Sequence, residues 1–181
     1  LIGNKNKFKI GIVGGSFLRK GIIYLLRAIR ILNNSEISLL IRAPESNITS
    51  HAEAKKLCSE IDVEFIPHLK DLNSFYKSID ILVLPSIDEG FGMVVYEAIM
   101  NSTPVIASRN VGSIDGMTTN ENIILVDAAN ESSLASAINE LYINKSMRLE
   151  IGKNGKNFHS KIINNGSRYQ ECIKFLIENS S

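Results

Sequence analysis

Residues 81–98 read ILVLPSIDEGFGMVVYEA and contain an apolar run, a loop with two glycines and an apolar helical pattern. The run from Ile81 to Leu84 is apolar throughout, which is typical of a strand buried on both faces in a parallel sheet. Gly90 and Gly92 interrupt the apolar pattern, and helical spacing follows them. A strand, a glycine loop and a helix in this order indicate an α/β domain.

The same alternation of short apolar runs and longer helical patterns extends over the rest of the chain. Apolar residues recur at helical spacing from Tyr24 to Leu32 and again from Leu134 to Leu141. From about Ser146 the pattern is wholly helical around a break at Gly166, which predicts a C-terminal helical cap. The six predicted strands are Phe8 to Val13, Ile37 to Ile41, Val63 to Ile66, Ile81 to Leu84, Val105 to Ala107 and Ile123 to Val126. We therefore predict a single α/β domain over residues 1–181, with a Rossmann-like, doubly wound parallel sheet of about six strands.

Composition excludes several classes of function. The 181 residues are 44% hydrophobic and 22% charged, as in an ordinary globular domain. Twenty basic and nineteen acidic residues give a net charge of +1, so no global field favours nucleic acid or an anionic membrane. Cys58 and Cys172 form no CxxC pair, so neither a zinc site nor a disulfide framework is indicated. The sequence contains no run of eighteen apolar residues, so it predicts no membrane-spanning helix.

The glycine loop after the fourth strand has the features of an anion site. Open α/β sheets bind ligands beyond the carboxyl ends of their strands. At Gly90 and Gly92 a ligand can approach the backbone closely, and the start of the following helix favours diphosphate oxygens. Glu89 and Glu97 flank this position, and a carboxylate accepts hydrogen bonds from two adjacent hydroxyls. One glutamate could therefore hold sugar hydroxyls and the other a ribose diol.

An alternative is that Glu89 is only a loop acid and Glu97 an exposed helix residue. Against it, Glu97 lies in a strongly apolar helical pattern with Val94, Val95 and Ala98. A carboxylate buried in such a helix needs hydrogen-bonding partners.

The loop between the first strand and the first helix supplies two cations. It contains Gly14 and Gly15 and ends with Arg19, Lys20 and Gly21, and it matches neither the GxGxxG fingerprint nor the P-loop pattern. Arg19 and Lys20 follow a strand end that faces the same crevice, where they could neutralise a diphosphate. That both are solvated at a helix start is an equally good interpretation of this loop alone.

Taken together, these residues resemble the large retaining glycosyltransferase family often called group 1 transferases, which have the two-domain architecture named GT-B. The family's Glu-x7-Glu signature is matched by Glu89 and Glu97, and its diphosphate-binding Lys-Gly by Lys20 and Gly21. The resemblance covers nearly the whole chain, including residues 103–107, which read TPVIA after the signature helix. It identifies the chain as the donor-binding, C-terminal half of such an enzyme.

The resemblance implies a role for each site residue. Glu97 would hold the ribose hydroxyls, Glu89 the hydroxyls of the donor sugar, and the base would lie near residues 66–69. Lys20 and Arg19 would stabilise the departing diphosphate. The residues expected to bind the donor are Gly14, Gly15, Pro67, His68, Leu69, Glu89, Gly90, Phe91, Gly92, Met93, Val94 and Glu97, and those expected to act in catalysis are Glu89, Lys20 and Arg19.

The chain departs from the family pattern at three places. Gly15 stands where an arginine is usual, which leaves Arg19 as a substitute. Ser102 stands where a glycine is common, and residues 111–115 follow the family's Gly-Gly-x-Pro-Glu loop only loosely. Donor-sugar contacts are therefore expected to differ from those of the family.

The donor implied is a nucleotide-diphosphate sugar, with UDP favoured as the commonest nucleotide. No metal is expected, because no Asp-x-Asp motif occurs and His51, His68 and His159 lack ligand spacing. The expected partner is an N-terminal acceptor domain that this chain lacks. The expected location is cytoplasmic, with the inner face of the membrane as an alternative, and a surface polysaccharide or glycolipid pathway is the expected setting.

One competing function remains open at this point, and two others are disfavoured. A nucleotide-sugar-binding module without catalysis would show the same binding residues. A nucleotide-sugar epimerase would bind the same donor but does not normally carry this Glu-x7-Glu spacing. A glycoside hydrolase would place its two carboxylates across a cleft rather than around a helix start. The sequence predicts that this chain binds donor but transfers poorly without the acceptor half.

Overall fold

The computed structural model describes residues 7–66 and 72–164 and contains a six-stranded parallel sheet in the order β3-β2-β1-β4-β5-β6. The predicted fold class is confirmed, and each predicted strand is found to within one residue at its ends. The strands are β1 (Phe8–Val13), β2 (Ile37–Arg42), β3 (Val63–Phe65), β4 (Ile81–Leu84), β5 (Val105–Ser108) and β6 (Ile124–Val126).

Helices connect the strands and follow the last one, because parallel strands need crossover connections. A 3-10 helix (Gly112–Ile114) lies between β5 and β6. The α-helices are α1 (Ile22–Leu32), α2 (Ser46–Thr49), α3 (Ala52–Glu60), α4 (Leu72–Ser78), α5 (Met93–Met100), α6 (Glu131–Ile143) and α7 (Lys145–Asn164). The last, α7, forms the first part of the predicted helical cap, whereas the break at Gly166 and the residues after it lie outside the described residues.

Two apolar cores cover the two faces of the sheet. Ile10 and Ile12 of β1 pack with α1, α3 and α6 on one face, and Leu82 and Leu84 of β4 pack with α4 and α5 on the other. Every residue of β4 and β5 is buried, as the unbroken apolar runs predict. Each such leucine or isoleucine contributes about 1.5–3 kcal/mol when it is fully buried.

The strand order creates a crevice between β1 and β4. After β1 the chain adds β2 and β3 toward one edge of the sheet, and after β4 it adds β5 and β6 toward the other edge. The loops that follow β1 and β4 therefore leave neighbouring strands at their carboxyl ends and lead to helices on opposite faces of the sheet. This reversal is the point at which open α/β sheets bind their ligands.

Ser102 adopts a backbone conformation that favours glycine. Its φ is 60°, in the left-handed region, directly after the end of α5. This geometry gives a physical reason why a glycine is common at the matching position of the family.

The two described histidines both pack against aromatic rings. His51 stacks on Phe17 with ring centroids 4.4 Å apart, and His159 of α7 meets the edge of Tyr96 of α5 at 5.8 Å. His159 is only 5% exposed, and burial lowers the pKa of its imidazole. Cys58 is a half-buried free thiol.

Among residues 7–66 and 72–164, no helix is both long and apolar enough to cross a membrane. Within the same ranges, no group of three or more histidine, cysteine, aspartate or glutamate side chains could hold a metal ion.

The buried His159 predicts a loss of stability in mild acid. Its pKa in the folded chain lies below the value of about 6.5 expected in the unfolded chain, so the unfolded chain binds the proton more tightly. The stabilising contribution is complete above about pH 6.5 and falls as the pH drops through that value. Replacing His159→Leu should reduce the pH dependence of the free energy of unfolding between about pH 7.5 and 5.5. Urea titrations measure this, with His51→Leu at an exposed histidine as control, and parallel curves for wild type and His159→Leu would contradict it.

Candidate functional site

The loops after β1 and β4 touch each other at Gly21. This residue is the N-cap of α1 and has a φ of 67°, and a Cβ built on it would lie 1.9 Å from the carbonyl oxygen of Pro85. The backbone N–H of Ile87 donates to the carbonyl of Arg19 at 2.9 Å. Only glycine allows the first loop to lie this closely on the end of β4.

This contact brings the ammonium group of Lys20 next to the carboxylate of Glu89. The Lys20 Nζ lies 2.5 Å from the Glu89 Oε2, and the Ser86 hydroxyl donates to the same oxygen at 3.1 Å. The lysine and glutamate side chains are only 13% and 9% exposed. Ser86 is itself held, because the Ser108 hydroxyl donates to its carbonyl at 2.5 Å. Glu89 is therefore fixed at the crevice by a cation and a hydroxyl.

Three carbonyls of the glycine loop accept hydrogen bonds from the 3-10 helix. Gly112 N–H donates to the Gly90 carbonyl at 3.0 Å, and Ser113 N–H donates to the Phe91 carbonyl at 2.7 Å. The Ser113 hydroxyl donates to the Gly92 carbonyl at 3.1 Å. These bonds hold the loop against residues 112–113, where the sequence matches the family pattern only loosely.

Helix α5 begins directly after this loop. Gly92 is its N-cap, with a φ of 76°, and the helix starts at Met93, so Glu89 precedes the helix as expected. The first backbone N–H groups of a helix have no partner within the helix, and they carry a partial positive charge. A Cβ at Gly90 would have no heavy atom within 4 Å, so the loop is approachable from that side. The start of α5 can therefore receive an anionic group.

Glu97 has a partner that the sequence does not reveal. This half-buried residue of α5 accepts a hydrogen bond at its Oε2 from the Tyr76 hydroxyl of α4, 2.5 Å away. Tyr76 is 1% exposed, and burial, together with the Glu97 carboxylate, raises the pKa of its hydroxyl. The Tyr76 hydroxyl therefore stays protonated at neutral pH and remains a hydrogen-bond donor. The expectation of a partnered carboxylate is confirmed, and the alternative of an exposed helix residue is wrong.

The remaining predicted residues of the first loop lie around the Lys20–Glu89 pair. Arg19 is exposed at the rim, where its Nη1 lies 3.4 Å from the Asp88 carbonyl. The stem of Lys20 lies along Gly14, where a Cβ would be 3.2 Å from the Lys20 Cε. A Cβ at Gly15 would lie 2.5 Å from the side-chain nitrogen of Asn47 in α2, so Asn47 occupies space beside the unusual glycine. Predicted residues Pro67, His68 and Leu69 lie outside the described residues.

Sequence reasoning missed four residues that contribute to the crevice: Arg42, Asn47, Ser86 and Tyr76. Arg42 ends β2 beside Val13 of β1, and its charge acts on the Tyr76 hydroxyl, opposing the rise in its pKa. Ser86 and Arg42 each stand at the carboxyl end of a predicted strand, which is a signal that could have found them. Tyr76 gives only the weaker signal of a buried hydroxyl, which needs a partner.

The site therefore combines three kinds of recognition within one crevice. A nearly buried lysine and a helix start attract an anion. Two carboxylates, one on each side of the helix start, can each accept hydrogen bonds from neighbouring hydroxyls. Such a set of groups suits a molecule with a central diphosphate and hydroxyl groups on either side of it.

The family model described as glycosyl transferases group 1 matches residues 2–158. The chain belongs to this family. It is 30% identical over 167 residues to the capsular polysaccharide biosynthesis glycosyltransferase CapM of Staphylococcus aureus, which covers 87% of this chain and 44% of CapM. The chain spans about half the length of the curated relatives it matches.

Solved structures share the fold. The C-terminal domain of the group 1 glycosyl transferase LpcC from Francisella tularensis superposes with a TM-score of 0.73 at 22% identity, covering 85% of each chain. HepE of Anabaena, solved in complex with UDP and glucose, superposes with a TM-score of 0.79 at 20% identity, covering 93% of this chain and 48% of HepE. The fold is that of one half of a GT-B glycosyltransferase, as the resemblance implies.

The contact at Gly21 predicts a contrast between two glycine substitutions. Gly21→Ala places a methyl group against the Pro85 carbonyl in a left-handed conformation and should destabilise the chain by about 2–5 kcal/mol. Gly90→Ala meets no atom within 4 Å and has no positive φ, so it should change stability by about 1 kcal/mol or less. Urea denaturation of the two variants measures the difference. Similar losses from both would contradict the close approach of the two loops.

Proposed function

We propose that this chain binds a nucleotide-diphosphate sugar and forms the donor half of an enzyme that transfers the glycosyl group to an acceptor. The observation that carries the proposal is the nearly buried Lys20–Glu89 pair beside the approachable start of α5, with Glu97 held further along the same helix. The cation and the helix start suit the diphosphate of the proposed ligand, and the two carboxylates suit the hydroxyls of its sugar and of its ribose.

In the proposed complex, the N–H groups of Met93 and Val94 and the ammonium of Lys20 bind the diphosphate. The ammonium has three donors, and its bond to Glu89 uses one of them. Glu89 accepts hydrogen bonds from the hydroxyls of the sugar, and Glu97 accepts them from the ribose diol. The base lies against the loop that contains Pro67, His68 and Leu69.

The proposed reaction breaks the bond between the anomeric carbon and the diphosphate oxygen. The acceptor hydroxyl oxygen forms the new bond to that carbon, and its proton passes to the departing diphosphate. The negative charge that gathers on the leaving diphosphate is stabilised by Lys20 and the helix start, with Arg19 at the rim. Because these groups supply positive charge at the leaving group, we propose that the reaction requires no metal ion. By resemblance to its family, transfer proceeds with retention.

UDP is the proposed nucleotide. HepE of Anabaena, which shares the fold, was solved with UDP and glucose and with UDP-glucose. CapM of Staphylococcus aureus acts in capsular polysaccharide biosynthesis, which makes a surface polysaccharide the proposed product class. Since the relatives are about twice as long, we propose that an acceptor domain completes the enzyme and that this chain alone transfers poorly.

Calorimetric titration with UDP, GDP and ADP tests the proposal. One nucleotide, UDP, should bind saturably, and Lys20→Met should raise its Kd about ten- to a hundred-fold because a charge-assisted hydrogen bond is lost. Methionine keeps the apolar stem that lies along Gly14. Glu97→Ala should also weaken binding, by about tenfold or more.

A matched control removes a lysine ion pair elsewhere. Lys7 pairs with Asp62 at 2.9 Å, at the amino end of the sheet, so Lys7→Met should leave the Kd unchanged. Absence of nucleotide binding by the folded chain would contradict the proposal. Binding that survives both site substitutions would place the nucleotide elsewhere. Donor binding without transfer by the full-length protein would favour a binding module over an enzyme.

A further inference from the structure

We propose that Tyr76 is a positioning residue that presents the Glu97 carboxylate to the ribose of the donor and so sets the preference for a ribose diol. This inference rests on the proposed function, because it assigns the ribose to Glu97. The observation behind it is the hydrogen bond from the buried Tyr76 hydroxyl of α4 to the Glu97 Oε2 of α5.

Tyr76 is fixed within α4 by contacts other than its hydrogen bond to Glu97. Its backbone carbonyl accepts a hydrogen bond from the Thr103 hydroxyl at 2.9 Å. Its ring packs edge-on against Phe75 with centroids 5.4 Å apart and is almost fully buried. The hydroxyl therefore occupies a fixed point in the molecule, because packed rings in a protein core keep one rotamer.

A second link holds α4 and α5 together beside this hydrogen bond. The Asn101 side-chain nitrogen donates to the Glu97 carbonyl at 2.9 Å and to the Asn73 side-chain oxygen of α4 at 3.0 Å. The backbone of Glu97 is thus tied to α4 independently of its carboxylate. Tyr76 and Asn101 fix different parts of the same residue, so their roles can be separated by substitution.

The hydrogen bond occupies one oxygen of the carboxylate. No second side chain among the described residues donates to the Glu97 carboxylate, so there its other oxygen is open to a ligand. A glutamate on a helix surface samples several rotamers, and ordering it has an entropic cost that weakens binding. The bond to Tyr76 orders Glu97 before the ligand arrives. Among the charged groups of the described residues, Glu97 and Arg42 act on the Tyr76 hydroxyl, in opposite directions, and burial keeps it protonated.

A purely structural role for Tyr76 would weaken all ligands alike. A positioning role instead affects only ligands that carry ribose hydroxyls. The two cases are separated by comparing UDP with its analogue that lacks both ribose hydroxyls, 2′,3′-dideoxyuridine diphosphate, in calorimetric titrations of this chain.

The wild-type chain should prefer UDP over the dideoxy analogue by about tenfold or more. Tyr76→Phe removes only the hydroxyl and should lose most of that preference, while its Kd for the dideoxy analogue stays within about twofold of wild type. Glu97→Ala should lose the preference as well. In the double variant the two effects should not add, since both remove the same recognition.

One control matches the substitution. The Tyr142 hydroxyl donates to the Glu36 Oε2 at 2.5 Å, away from the crevice, so Tyr142→Phe removes a like hydrogen bond and should keep the full ribose preference. Thermal unfolding of each variant verifies that the chain is folded.

Each other outcome has a definite meaning. Full ribose preference in Tyr76→Phe, together with its loss in Glu97→Ala, would overturn the positioning role and leave the proposed function intact. Equal weakening of both ligands by Tyr76→Phe would also overturn it, in favour of a structural role. Ribose preference that survives Glu97→Ala would contradict the role of Glu97 in the proposed function, as would a folded wild-type chain that binds neither ligand.

Discussion

The site depends on the close approach of two loops at the carboxyl ends of β1 and β4. Gly21 allows the first loop to lie against the Pro85 carbonyl, and from there Lys20 reaches Glu89. Burying an ion pair brings little net stability, because desolvation opposes the attraction of the charges. The position of this pair follows from the backbone contact beneath it, and its value to the protein lies in placing a cation and a carboxylate at the topological switch point.

A second framework, made by α4 and α5, places the other carboxylate. Glu97 is bound through its side chain by Tyr76 and through its carbonyl by Asn101. The start of the same helix is fixed by the 3-10 helix that follows β5, which binds the carbonyls of the glycine loop. The start of α5 and the Glu97 carboxylate are thus held by two separate elements, the 3-10 helix and α4, which allows the crevice to be preorganised for an extended ligand.

The fold could be predicted because strands such as β4 are unbroken apolar runs and because α1 and α6 carry apolar residues at helical spacing. Glu89, Glu97 and Lys20 could be placed at the crevice because loops at the carboxyl ends of parallel strands share one edge. The direct pairing of Lys20 with Glu89 was not predictable, since it depends on the adjacency of β1 and β4. The role of Tyr76 was not predicted, because the sequence of an aromatic residue in a helical pattern indicates only that its ring is buried. The partner of its hydroxyl, Glu97, is visible only in the structure. Asn47 beside Gly15 has no local signal at all.

The proposed function requires that the start of α5 receives the diphosphate of a nucleotide. Amide chemical-shift mapping during titration with UDP tests this requirement, because it reports the site of binding residue by residue. We predict saturable shifts at Gly90, Met93 and Val94 and none at Lys145, beyond the far end of α6. Shifts confined to the amino ends of the strands, or no shifts in a folded chain at millimolar UDP, would contradict it.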